Sequence, residues 1–258
     1  MKDVQNQRDD RQIPIDKVGV KGIRYPISLL DKHEKEQHTI ASINMYVDLP
    51  HHFKGTHMSR FIEILNEYRR EIHIDRLPEI LAQMRKSFDA SSAHIEIRFP
   101  YFIAKSAPVT KSIGMIDYEC FFTASSTYQN DDSILGVNVP IMTLCPCSKE
   151  ISEYGAHNQR GIVSLEVRQK KMIWIEDLIE IVEKAASSPI YSLLKRPDEK
   201  FVTEQSYNNP KFVEDVVRDI ALTMNEHDNV SWYRISAENF ESIHNHSAYA
   251  FVEKDKKS

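Results

Sequence analysis

The stretch Val163-Ser164-Leu165-Glu166-Val167-Arg168 alternates apolar and polar residues without a break. Successive side chains of a strand point to opposite faces, so one face of this segment is buried and the other wet. His94-Ile95-Glu96-Ile97-Arg98-Phe99 shows the same period of two, as do Ile116, Tyr118, Cys120 and Phe122, and Leu135, Val137, Val139 and Ile141. Lys17–Leu30 and residues 37–49 read as two earlier strands, and residues around Val230–Glu238 and His246–Val252 as two closing ones.

Between the strands the period lengthens. Thr56 is placed to cap a helix carrying Met58, Phe61, Ile62, Leu65 and Tyr68, and a second stripe follows at Leu77, Ile80, Leu81, Met84 and Phe88. In the second half a helix from about Ile175 carries Leu178, Ile179 and Val182 and stops before Pro189. Asn209 with Pro210 is expected to open another, with Phe212, Val213, Val216, Val217, Ile220 and Met224 on its buried face. Each half then reads strand, strand, helix, helix, strand, strand. This predicts an α+β fold of two similar units, with antiparallel strands and helices on one face.

Composition narrows the function. The chain has 258 residues, 33 Lys+Arg against 38 Asp+Glu, a formal net charge of −5, and 7 Gly and 3 Cys. Neither GxGxxG nor GxxxxGKS occurs, so no glycine loop is present to cradle phosphate. Three cysteines make no disulfide framework and fit a reducing compartment, the cytoplasm. The acidic balance argues against nucleic-acid binding. No apolar run reaches the length of a membrane span, and the polar MKDVQNQRDDRQIP start is no secretory signal.

Chemistry concentrates in Leu144-Cys145-Pro146-Cys147-Ser148-Lys149-Glu150-Ile151-Ser152-Glu153-Tyr154-Gly155-Ala156-His157-Asn158-Gln159-Arg160. Thiolate and imidazole are ligands for zinc-like metals, and an incomplete donor set suits a catalytic metal more than a structural one. A cysteine ending a strand is equally at home as a small packed hydrophobe, and Cys120 is read that way. Glu199 lies in Lys195-Arg196-Pro197-Asp198-Glu199-Lys200, a charged loop between helices, where a solvated carboxylate is the plain reading. Glu241, His244 and His246 cluster near the C-terminus; two His at i, i+2 on a strand would share a face and suit ligation or proton transfer. Glu214 sits in the first turns of the last helix, where the helix dipole and pairing with Arg218 at i+4 account for a carboxylate; the functional reading aims it at paired N–H donors of a purine or pterin edge.

The run Thr143–Ser152 with Tyr154–Arg160 closely resembles the signature of the GTP cyclohydrolase IB family. Lys17-Val18-Gly19-Val20-Lys21-Gly22, Lys54-Gly55-Thr56-His57-Met58-Ser59-Arg60-Phe61 and Leu194–Lys200 resemble it too. The resemblance implies a tunnelling fold of two tandem ββααββ-like modules, set here at 17–130 and 131–258 after a flexible arm at 1–16, with most of the site in the second. It implies a homotetramer with active sites at subunit interfaces. The implied activity is a hydrolase acting on C–N bonds of a cyclic amidine: GTP and water give 7,8-dihydroneopterin 3′-triphosphate and formate, the first step of tetrahydrofolate biosynthesis.

The resemblance also carries a divalent metal (zinc, manganese or iron) onto Cys145, His157 and Glu199. His244, His246 and Glu241 then line the site, and Glu214 anchors the purine. Lys149, Arg160, Lys195 and Arg196 are the cations available for the triphosphate, and the helix start at Thr56 and His57 is a further place for phosphate. The metal would acidify water for attack on C8 of guanine. Rival readings are an archaeal-type cyclohydrolase giving a cyclic phosphate, an NADPH-dependent nitrile reductase with a cysteine nucleophile, and an oligomeric scaffold with structural zinc.

Overall fold

The computed structural model describes residues 5, 8–68 and 72–256; part of the expected 1–16 arm lies outside them. The longest hairpin pairs β1 (Ile15–Asp31) with β2 (Lys35–Leu49), antiparallel, from Asp31↔Lys35 out to Ile15↔Leu49. Its turn works without glycine. The Asp31 carboxylate accepts the backbone N–H groups of His33 and Glu34, each at 2.8 Å, and Lys35 takes the left-handed φ of 73°. Further along, the register slips between Val20 and Ile23, and there Gly22 adopts φ +72° and donates its N–H to Asn44 Oδ1.

β3 (Ser92–Ser106) continues the sheet beside β2, with Ser42↔Arg98 through Val47↔Ala93 in register. The expected alternation is present: Ala41, Ile43, Met45 and Val47 are buried on β2, and Ala93, Ile95, Ile97 and Phe99 on β3. α1 (Met58–Glu67) buries Phe61, Ile64 and Leu65, and α2 (Leu77–Phe88) buries Leu77, Ile80, Leu81 and Met84. The Phe61 and Phe88 rings stack at 4.2 Å and lock the helix pair. Each fully buried aliphatic or aromatic side chain contributes about 1.5–3 kcal/mol. The α1 cap is His57, not Thr56, and no side chain caps it.

The remaining strands are β4 (Ile113–Thr127), β5 (Asp131–Leu144), β6 (Asn158–Gln169), β7 (Val230–Asn239) and β8 (Ala248–Asp255). Hydrogen-bonded neighbours follow sequence order from β1 to β8, and β6–β7 and β7–β8 are antiparallel. The chain divides into two compact units. One comprises residues up to 100 with 121–135, and the other 101–120 with 136 onward.

In the second unit, α4 (Ile175–Ala185) and α6 (Val213–Glu226) turn Leu178, Ile179 and Val182, and Val216, Val217, Ile220 and Met224, into the core, where Val163, Leu165, Val167 and Ile235 are also buried. A polar knot ties α4 to the strands: Glu183 Oε1 receives Lys105 Nζ at 2.5 Å and the Tyr118 hydroxyl at 2.7 Å. Burial pushes the Lys105 ammonium down and the Tyr118 phenol up. Cys120 is buried, as its strand position predicted, and burial raises its thiol well above the usual range.

Three expectations about elements are corrected. Lys195–Lys200 is not a loop: α5 (Arg196–Asn208) starts at Arg196. Asn209 does not open the last helix; it closes α5 and donates its side-chain amide to the carbonyls of Ala186 and Ser187. α6 starts at Val213 because Asp215 accepts the Phe212 N–H at 3.0 Å, a stronger start signal than Pro210.

Candidate active site

β5 carries the chain to Leu144, whose N–H is taken by Ser187 Oγ and whose carbonyl accepts Lys211 N–H. The next residue, Cys145, is extended and caps the short helix α3 (Pro146–Ile151), with Pro146 in the first turn. Its sulfur accepts the Ser148 N–H at 3.4 Å. The loop then folds back on itself through Gly155, at φ +76°. Cys145 N–H donates to the His157 carbonyl at 3.1 Å, and the Ser148 hydroxyl donates to Cys145 O and accepts His157 N–H, each at 3.2 Å. A thiol and an imidazole separated in sequence are thereby pinned to one another through their backbones.

His157 is mostly enclosed. Its Nδ1 lies 3.0 Å from Gln159 Oε1 and 3.9 Å from Glu241 Oε2. Glu241 reaches it because Phe240 N–H bonds to the Arg160 carbonyl, holding the β7–β8 connection against the start of β6. His244 and His246 are in that connection, not on a strand: β8 begins only at Ala248. Their shared placement survives for another reason, since the two exposed rings stack at 5.0 Å with 16° between planes.

α5 is anchored by a residue next to the predicted one. Asp198 is fully buried and accepts N–H groups from Lys195, Val109 and Thr110 and the Thr110 hydroxyl, at 2.6–3.0 Å. Burial alone would raise this carboxyl; the four donors outweigh it and hold it well below the usual carboxylate range. Glu199 beside it is exposed, as are Lys195 and Arg196. Lys149 spans to the far end of this helix, donating Nζ to Tyr207 O at 2.6 Å and lying 4.4 Å over the Tyr207 ring. Of the four predicted triphosphate cations it is therefore already engaged, whereas Arg160, Lys195 and Arg196 form no ion pair among the described residues.

Glu214 sits in the first turn of α6, exposed and off the buried stripe. The expected pairing with Arg218 is not made. Arg218 instead meets Asp215 at 3.6 Å, because the cap has already brought that carboxylate to the helix start. Glu214 is left with no hydrogen bond or ion pair among the described residues.

The structure thus ties the Cys145 and His157 backbones together, brings Glu241 to 3.9 Å from His157 Nδ1, and leaves Glu199 on α5 and Glu214 on α6 as free carboxylates. Among the described residues, no three His, Cys, Asp or Glu side chains gather around one point. The sulfur of Cys145 and the imidazole of His157, both on half-buried residues, are of the donor types that a zinc-like ion accepts.

The sequence reading missed Thr143, Gln159, Asn239 and Asp198. The first three carried a signal: each falls where the alternation of β5, β6 or β7 calls for an apolar residue, and each is buried.

Two solved structures share this architecture. Uricase from Arthrobacter globiformis superposes with TM-score 0.53 at 7% identity, covering 93% of this chain and 92% of that one. Urate oxidase from Bacillus subtilis 168 gives 0.56 at 6%, covering 93% and 99%. The eight-stranded antiparallel sheet with its helices is accordingly a tunnelling fold. Sequence comparison resolves the family within it. The model of type I GTP cyclohydrolase FolE2 matches residues 1–250. A GTP cyclohydrolase FolE2 from Syntrophus aciditrophicus is 60% identical, over 99% of this chain and all of that protein. One from Citrifermentans bemidjiense is 58% identical over all of this chain and 96% of that one. The chain belongs to the type I GTP cyclohydrolase FolE2 family.

Proposed function

We propose that this chain converts GTP and water to 7,8-dihydroneopterin 3′-triphosphate and formate, the entry to tetrahydrofolate biosynthesis, and that it uses a divalent metal to do so. The activity rests on family membership over essentially the whole chain. The metal reading is supported by one observation, the backbone clamp between Cys145 and His157, which ties a cysteine and a histidine twelve positions on in the numbering to one turn of chain. Cys145 and His157 would hold the ion, with Glu199 as third ligand. When bound, such an ion supplies a water acidified towards neutrality for attack at C8 of guanine.

The protein's own groups do the rest. Glu214, exposed and unpaired at a helix start, accepts hydrogen bonds from N1–H and the 2-amino group of guanine. Adenine offers a bare acceptor at N1 and is refused. His244 and His246 would exchange protons during opening of the imidazole ring and closure of the pterin, a reading supported by their stacked, exposed rings beside Glu241 in the β7–β8 connection. Arg160, Lys195 and Arg196 meet the triphosphate.

We read the chain as two tandem modules, 17–130 and 131–258, assembled as a homotetramer with sites at subunit interfaces. Among the described residues β1 and β8 end the strand order, and Tyr249 and Phe251 are exposed on one face of β8, which supports assembly through this end of the sheet. No helix among the described residues is long and apolar enough to cross a membrane.

The deciding experiment incubates the protein with GTP and zinc, manganese or iron(II), then oxidises the product and reads pterin fluorescence. Fluorescence that needs the metal and disappears with Cys145→Ala supports the reading. Full turnover after exhaustive chelation, or by Cys145→Ala, defeats the metal assignment.

A further inference from the structure

We infer that Gln159, oriented by Thr143, is a positioning residue that holds His157 with its proton on Nδ1 and its lone pair on Nε2, ready for the metal. The inference rests on the metal reading above and adds to it a cause for the ligand's geometry.

Thr143, Gln159 and Asn239 end the buried rows of β5, β6 and β7 and are 0%, 5% and 1% exposed. Thr143 Oγ1 accepts Gln159 Nε2 at 2.9 Å and Asn239 Nδ2 at 3.0 Å. A side-chain amide has one donating end and one accepting end. In the structure Nε2 donates to Thr143, and Oε1 therefore faces the imidazole, meeting His157 Nδ1 at 3.0 Å. An acceptor at that distance requires a proton on Nδ1. The Glu241 carboxylate, 3.9 Å from the same nitrogen, favours the same tautomer. Both acceptors lie on one side of the ring, so Nε2 is left as the ligating atom. A ligating imidazole whose other nitrogen donates to a fixed acceptor is oriented and made more basic. A network that only sealed the strand ends would need the amide's bulk but not its outward oxygen.

That difference is testable. Gln159→Met keeps length and loses the acceptor, Gln159→Glu keeps the acceptor, and Thr143→Val removes the group that orients the amide. Two readouts apply: imidazole 15N shifts of His157 in metal-free protein at pH 8.5, assigned through His157→Asn, and Co2+ affinity by competition with a chromophoric chelator. Wild type and Gln159→Glu should show the Nδ1-protonated pattern and bind Co2+ alike. Gln159→Met should shift towards Nε2–H and weaken Co2+ binding about 10- to 100-fold, with Thr143→Val between them. Unchanged tautomer and affinity in Gln159→Met overturn the role, and so does a Gln159→Glu protein as impaired as Gln159→Met. If Gln159→Met does not fold, Thr143→Val decides: loss of the Nδ1–H pattern supports the role, and its retention overturns it. Co2+ binding that Cys145→Ala abolishes and Gln159→Met leaves intact removes only the positioning role. Wild-type protein that binds no Co2+ removes the metal reading with it.

Discussion

The connections of β1 to β4 and those of β5 to β8 differ in what their polar residues do. β1 and β2 meet through a turn in which the Asp31 carboxylate accepts two backbone N–H groups, β3 and β4 through 107–112, closed by Ala107 N–H to Ser112 O, and β2 and β3 through a long connection whose helices α1 and α2 bury an apolar stripe. β5 and β6 are joined by residues 145–157 with α3 inside, β6 and β7 by three helices, and β7 and β8 by 240–247. Every residue assigned to metal, purine or proton transfer lies in the second set. The Asp31 carboxylate is taken up by its own turn, whereas the 145–157 and 240–247 connections carry a thiol, imidazoles and a carboxylate at the ends of the sheet strands.

The sharpest way to break this contrast is Cys145→Ala. On the metal reading proposed above, turnover should fall about a thousandfold or more through loss of metal-activated water, while the thermal melt stays close to wild type; formate release measures it. Next come core truncations in each unit. Ile97→Ala and Leu165→Ala should each cost roughly 2–5 kcal/mol in denaturant unfolding, with the KM for GTP unchanged in the folded fraction. A KM shift in Leu165→Ala alone would mean that core and site are not separable in the second unit.

Glu214→Gln removes the charge from the acceptor proposed to hold guanine. It should forfeit about 1.5–3 kcal/mol of recognition, roughly a ten- to hundredfold rise in KM, at unchanged metal content by elemental analysis. Equal KM in both proteins would remove the purine anchor.

Asp198 tests whether α5 belongs with the structural or the chemical set. Its folded carboxyl lies below the unfolded value, so the unfolded chain takes up the proton first. Its stabilisation is complete above the ordinary carboxylate value of about 3.9 and is lost as pH falls through the folded one. Asp198→Asn should therefore melt lower at pH 7 and show a shallower loss of stability on acidification. The smallest effect is expected from Asp31→Ala, about 1 kcal/mol by denaturant unfolding and none on turnover.

Legibility in the sequence followed the physics of each element. Strands and amphipathic helices announce themselves because one face is apolar, and β2, β3, β6, α2 and α4 appear where the periods place them. α5 has no apolar stripe to read. Its two buried residues are Asp198 and Ser206, and it is held by hydrogen bonds from 109–110, distant in sequence. α3 is too short to show a period. His244 and His246 imitate strand spacing inside a loop. Residue types at the site were readable because thiolate, imidazole and carboxylate are chemically distinctive wherever they fall.

The amino-acid sequence by itself determined the layered α+β architecture, the family and the kinds of donor available, since these depend on local periodicity and side-chain chemistry. Only the tertiary structure decided which donors meet. Cys145 is clamped to His157 by a backbone hydrogen bond and the Ser148 hydroxyl, and Gln159 is turned towards His157 by a threonine on another strand. A hydrogen bond's direction is set by where its partners lie in space, and their spacing along the chain does not contain it.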